Sequence, residues 1–207
     1  MSAREEILAR IRAANAGTPD PPPVQRNYRQ GGDQAPGSAE LLDRLEERLV
    51  DYRALVHRCG DHGIPAAVAA ALAGVVPDGG RVLVPPGLPP EWVPDGVVDH
   101  PGLTAADLDG FAAVVTGCAG ASADTGTLAL DASPEQGRRA ITLVPDVHVC
   151  VVRAEQVVQS VPELLARLAP TRPLTLISGP SATSDIELHR VEGVHGPRTL
   201  IAVLVSD

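Results

Sequence analysis

The sequence predicts an α/β fold, a mixed sheet flanked by helices, and three observations carry that prediction. Short apolar runs stopped by glycine or proline recur as RVLVPPG from Arg81, FAAVVTG from Phe111 and PLTLISG from Pro173, with TLIAVLV closing the chain from Thr199; this is the pattern of buried strands. Stretches of helical periodicity with capping signals are interspersed among them. Only 2% of the residues are aromatic, so the core must be built from Val, Leu, Ile and Ala, which suits helices packed closely on a sheet.

Ser2 and Glu5 form a capping box, and Ile7, Leu8 and Ile11 follow at helical spacing, predicting a helix over about residues 3–14. The stretch from Ala16 to Ser38 is rich in Pro and Gly and reads as a linker, extended or poorly ordered. Residues 1–38 are therefore expected to form an arm and 39–207 one α/β domain. A helix that short is marginal alone, so it is expected to dock on this core or on a partner. Ser38 can cap the next helix, whose stripe is read as Leu41, Leu45, Leu49, Tyr52 and Val56. Pro65 to Gly74 begins with a first-turn proline and ends in a C-cap glycine, a second short helix. The runs at Arg81 and Phe111, with helices between, suggest parallel pairing. Thr127–Asp131, Ala140–Pro145 and His148–Arg153 follow one another closely, and such short connections predict antiparallel pairs. Ser160 and Glu163 cap a helix through about Leu168, and the last two runs supply the remaining strands.

Charge and cysteine usage narrow the function. The net charge is -9 and all 17 basic residues are arginine, so there is no basic stripe for a nucleic acid backbone. Cys59, Cys118 and Cys150 are widely spaced, with no C-x-x-C, which fits a reducing cytoplasm and a chain without its own cluster or metal. The N-terminus is charged throughout and no apolar run reaches the length of a membrane span.

Two loops stand out because each follows an apolar strand with small polar residues. The first holds Gly120, Ser122, Asp124, Thr125, Gly126 and Thr127; the second holds Ser178, Gly179, Ser181, Thr183 and Asp185. At the carboxyl ends of strands, such loops present N–H groups and hydroxyls to a ligand, and the two are expected to share one pocket. The alternative is a pair of tight turns in which Asp124 and Asp185 act as turn or cap residues. There is no phosphate-binding G-x-x-x-x-G-K-[ST] and no G-x-G-x-x-G, and GASAD and GPSAT lack the closing glycine of a nucleophile elbow. His195, between Gly193 and Gly196, is the histidine chosen for chemistry or ligand contact, against a loop histidine bonding its own backbone. Asp124, Glu187 and His195 are the catalytic candidates. His148 and Cys150 share a strand face but lack further metal ligands, and Cys59 with His62 is an isolated pair. Arg138 and Arg139, after SPEQG, read as a solvated turn or a contact for an anion.

The start ILARIR, the central DTGTLAL, the strand VPDVHVCVV and above all SGPSATSDIE followed by GVHGP resemble the lactate utilisation protein C family, whose domain is called LUD. The resemblance runs from the N-terminal helix to the last strand. It implies a Rossmann-like three-layer fold similar to the sugar-phosphate isomerase and coenzyme A transferase superfamily. It also implies an accessory role in oxidising L-lactate to pyruvate, with no cofactor in this chain and iron–sulfur clusters in partner proteins. Asp124 stands where such proteins commonly carry glutamate, and Ala182 where they often carry a basic residue. A second expectation, from the loops and the superfamily fold, is an enzyme or sensor binding a sugar phosphate, a carboxylate or an acyl-coenzyme A.

Overall fold

The structure, a computed structural model, describes residues 2–17, 22–183, 191–192 and 196–206. Helix α1, Ala3–Asn15, carries the expected capping box of Ser2 and Glu5 and buries none of its residues. The polypeptide is tied down before the next helix: the Asp33 and Gln34 N–H groups donate to Gln159 Oε1 at 2.8 and 3.1 Å, and the Gly37 N–H donates to the Val157 carbonyl at 2.9 Å. Helix α2, Ala39–Asp51, is capped by Ser38 and buries Leu41, Leu42, Leu45 and Leu49. Its stripe stops there. Arg53 takes a left-handed backbone conformation, φ 68°, which ends the helical path and turns the chain into strand β1, Leu55–Cys59. Val56, read from sequence as the end of the helical stripe, is therefore a strand residue.

Helix α3, Ile64–Ala73, leads to β2, Val82–Val84, and the two-residue β3, Val97–Val98. Helix α4, Ala105–Asp109, precedes β4, Ala113–Thr116; β5, Gly120–Ser122, and β6, Thr127–Leu130, follow as a hairpin. Strand β7, Val147–Arg153, is followed by β8, Val157–Val158, and α5, Val161–Arg167. The chain ends with β9, Thr175–Ile177, the small pair β10, Ala182–Thr183, and β11, Val191–Glu192, and then β12, Thr199–Val205.

Six strands form one sheet in the order β1-β12-β7-β4-β2-β3, and every pairing in it is parallel. A second sheet of four strands, β8-β5-β6-β9, contains the antiparallel pairs β5–β6 and β6–β9. Alternate residues of a strand face opposite sides, and the core divides accordingly. Ile201, Val203 and Val205 of β12, with Val147, Val149 and Val151 of β7, pack on Ile64, Val68 and Ala71 of α3. Leu200, Ala202 and Leu204, with Cys150 and Val152, meet the leucines of α2 and the inner residues Ala121, Leu128 and Leu130 of the second sheet. The result is three layers: α3, the parallel sheet, and a layer of α2 with the second sheet.

The expected antiparallel run of Thr127–Asp131, Ala140–Pro145 and His148–Arg153 does not form. Arg139–Thr142 is a single 3-10 turn, and β7 lies between β4 and β12 with every residue but Arg153 buried. An apolar segment without polar alternation has no solvent face to offer, so it belongs at the centre of a parallel sheet rather than in a half-exposed hairpin.

Candidate ligand site

The two loops singled out in the sequence meet. Because β6 and β9 are antiparallel with Leu128 opposite Ile177, the start of one adjoins the end of the other, and the Thr127 and Ser178 hydroxyls hydrogen-bond at 2.9 Å. The chain of hydroxyls continues from Thr127 to Thr125 at 2.7 Å and from Thr125 to Ser122 at 3.1 Å, and Ser122 donates to the Gln159 carbonyl at 3.4 Å. Gly126 and Gly179 both take positive φ, 59° and 84°, and each lies against α2 or the turn after it: Gly126 beside Arg48 and Gly179 beside Tyr52. Gly120 lies against Leu164 of α5.

Asp124 turns to α2. Its carboxylate is ion-paired to Arg44 of α2 at 2.8 Å, and its N–H donates to the Gln159 carbonyl, so it fastens α2 to the β5–β6 turn. Asp185, Glu187 and His195 lie outside the described residues. Thr183 is placed only by its backbone pairing with Val191.

Ser178, Gly179 and Ser181 line a cleft of about 310 Å³ together with Arg139, Thr142, Leu143, His148, Thr175, Gly196 and Leu200. It lies against the second residues of β7 and β12, at the amino ends of these strands rather than the carboxyl ends expected. His148 is buried at 1% exposure. Its Nε2 pairs with the Thr116 hydroxyl at 2.8 Å, a contact made across β4 and β7, while its Nδ1 has no hydrogen-bond partner among the described residues. Burial lowers the imidazole pKa to about 4, because a low-dielectric site penalises the charged ring. His148 is thus neutral at pH 7, with one ring nitrogen a donor and the other an acceptor. At the rim, Arg139 is exposed and forms no ion pair among the described residues. Its neighbour Arg138 is engaged instead: it grips buried Asp99 with two bonds of 2.8 Å and donates to the Leu103 carbonyl at 3.0 Å.

Sequence reading missed two features of this region. It placed His148 on a strand face without assigning it a cleft, and it treated the cysteines as separate, whereas Cys118 and Cys150 share one buried cluster, the Cys118 thiol donating to the Gly120 carbonyl at 3.0 Å and the Cys150 thiol to the Gly117 carbonyl at 3.6 Å. The neighbouring Cys118 thiol and burial together hold the Cys150 thiol well above its usual pKa. Among the described residues no group of three or more His, Cys, Asp and Glu side chains converges as for a metal ion, and no helix is long and apolar enough to cross a membrane.

Residues 106–205, from α4 to the end of β12, match the LUD domain. Over 99% of its length the chain is 43% identical to lactate utilization protein C of Deinococcus radiodurans, covering 96% of that protein. The chain belongs to the LUD domain family of lactate utilization protein C. Lactate utilization protein C of Geobacillus kaustophilus is 29% identical across 81% of the chain and 79% of its own length. The crystal structure of a DUF162 family protein from Deinococcus radiodurans superposes with a TM-score of 0.68 at 40% identity, covering 81% of this chain and 98% of the other. The LUD match includes Arg139, Thr116, His148 and every described residue of the Ser178–Gly196 wall, so the cleft lies within the family's defining region.

Proposed function

We propose that this LUD protein is an accessory, non-redox subunit of a cytoplasmic system that oxidises L-lactate to pyruvate, with iron–sulfur proteins as its partners. The observation that carries the reading is the 43% identity to a lactate utilization protein C along essentially the whole of both chains. The sequence supports the division of labour: three scattered cysteines and no C-x-x-C leave electron transfer to other subunits. Helix α1 supports a docking role, since Ile7 and Ile11 stand 58% and 50% exposed on a helix that buries nothing of its own. Deleting the gene tests the proposal. Growth on L-lactate as carbon source should fail and return with the wild-type gene, and affinity-tagged protein should bring down cluster-bearing partners, recognised by their visible absorbance. Undiminished growth on L-lactate would refute it.

The cleft favours a second reading, a protein that binds an anionic metabolite in its own right. The two readings are compatible if the accessory subunit senses or presents a small acid to its partners.

A further inference from the structure

We propose that the extended arm of one copy of this chain adds a strand to the outer edge of β1 in a second copy, and that the exchange, made in both directions, joins the two as a dimer. The arm segment is residues 24–29, and the surface that receives it is β1 with the adjoining side of α2. The pairing is a property of the chain by itself and does not depend on the lactate reading above.

Four observations select this pairing. β1 is the outermost strand of the parallel sheet, and among the described residues only β12 pairs with it. Its other row of N–H and C=O groups is the kind of edge to which an extended segment adds. The arm supplies such a segment: residues 22–30 are all exposed and lie in neither helix nor sheet. The side chains of Arg29 and Gln30 bond to Gly31, Asp33 and Tyr28, within the arm itself. Both sides carry unburied apolar groups. Val24 and Tyr28 of the arm stand 71% and 66% exposed, and Val50 of α2 and Leu55 of β1 stand 54% and 49% exposed. Val24, Arg26 and Tyr28 are alternate residues, so in a strand they share one face.

The charges are complementary. From Pro22 to Gly32 the arm carries Arg26 and Arg29 and no acid, whereas α2 carries five acids against two arginines. Asp43 and Glu46 of α2 reach Arg58 of β1, so the side of α2 that holds them, with Val50 one turn on, borders this edge. Beside it Glu47 and Asp51, both exposed, share the single guanidinium of Arg48 at 3.9 and 3.5 Å. Pairing β1 directly with β1 of a second copy would set the two acidic helices together, while the arm brings arginine to them. Asp33 and Gln34 are anchored on Gln159, and the residues before them can extend roughly 15–30 Å from that anchor, enough to cross to a neighbouring molecule. Each copy has one arm and one edge, so a reciprocal exchange closes at two.

Sedimentation velocity of the full chain tests the exchange. At about 0.1 mM the protein should run as a dimer, and the dimer should weaken as salt is raised. Asn27→Pro and Tyr28→Pro each remove an N–H from the exposed arm. Neighbouring N–H groups of a strand point to opposite edges, so at least one of the two variants should weaken association about tenfold or more. Reversing the arm charges, Arg26→Glu with Arg29→Glu, should yield a monomer, and so should reversing the receiving charges, Glu47→Arg with Asp51→Arg. An equimolar mixture of these two proteins should restore the dimer, because each arm then meets an acceptor of opposite sign; recovery on mixing also shows that both variants are folded. A monomeric wild type at that concentration, a dimer indifferent to the arm variants, or a mixture that stays monomeric would each overturn the proposal. A monomer whose residues 24–29 are protected from amide exchange would overturn it as well, because the arm would then pair within its own chain.

Discussion

Buried His148 should make the folded state sensitive to acid in a defined window. In the unfolded chain its imidazole returns to the usual pKa of roughly 6.5, whereas burial holds it at about 4 in the native state. Between these values the unfolded chain binds a proton that the folded chain refuses, so stability is full above the unfolded value and is lost as pH falls toward the folded one. Complete passage through the window costs about 3 kcal/mol, and at about pH 4.5 the loss should already be ~2.5 kcal/mol relative to neutral pH. Carboxylates titrate over part of the same range, so the assay is a difference. Urea unfolding of the wild type and His148→Gln, whose amide can still reach Thr116 but cannot titrate, is compared at neutral pH and about pH 4.5. The variant should lose ~2.5 kcal/mol less than the wild type on acidification. Parallel losses in the two proteins, or an NMR titration of His148 with a midpoint near 6.5, would refute the assignment of a neutral, buried imidazole.

Arg138→Ala strands the Asp99 carboxylate, whose side chain is 5% exposed, and should lower stability by about 2–4 kcal/mol in urea unfolding, somewhat below a fully buried pair because water reaches the arginine. Gly179→Ala places a methyl 2.5 Å from Tyr52 Cβ at a φ of 84°; about 1–3 kcal/mol of stability should be lost in the same urea unfolding. Thiol labelling of the native protein should modify Cys59 and spare buried Cys118 and Cys150. That reaction should be slow at neutral pH and faster in alkali, because burial and then Asp61 raise the Cys59 pKa, while denatured protein should label at all three positions.

The strands that could be read from sequence are those whose apolar run is complete within itself: β2, β4, β9 and β12 sit inside the four runs that end in Gly, Pro or the C-terminus. Strand β1 could not be read in that way. His57 and Arg58 interrupt it, Arg58 pairs with Asp43 and Glu46 of α2, and its apolar residues continue the helical register of the preceding stripe. Which strand pairs with which was beyond local pattern as well. The short spacing from Thr127 to Arg153 suggested neighbours, yet β6 and β7 belong to different sheets. Both polar loops were identified from composition, and Thr127 with Ser178 joins them, but of their described residues only those of the second, Ser178, Gly179 and Ser181, line the cleft. His148 carried a usable signal, since a lone imidazole in an otherwise apolar, fully buried run is the informative kind of buried polar residue. Its partner Thr116 lies 32 residues away, a distance that no periodicity spans.

The position of the cleft follows from what the chain does with the other end of the sheet. In open parallel sheets ligands gather at the carboxyl ends of strands, and here that edge is filled by the protein itself. The segment after β6 crosses it: Gly87, beyond β2, donates to the Pro134 carbonyl at 3.0 Å, Gly117, beyond β4, donates to the Glu135 carbonyl at 2.9 Å, and Arg138 reaches Asp99 beyond β3. A side chain at Gly87 would meet Pro134 at 2.4 Å, so the approach is closed to anything larger than glycine. At the opposite side of the sheet, Arg153 from the end of β7 pairs with Asp61 beyond β1 and lies over Trp92. With the usual ligand edge occupied, the cleft of about 310 Å³ lies where β9 and the residues that follow it stand off from the start of β7 and β12. Its polar groups therefore come from the second sheet and from the Arg139–Thr142 turn, with His148 as the parallel sheet's one polar contribution.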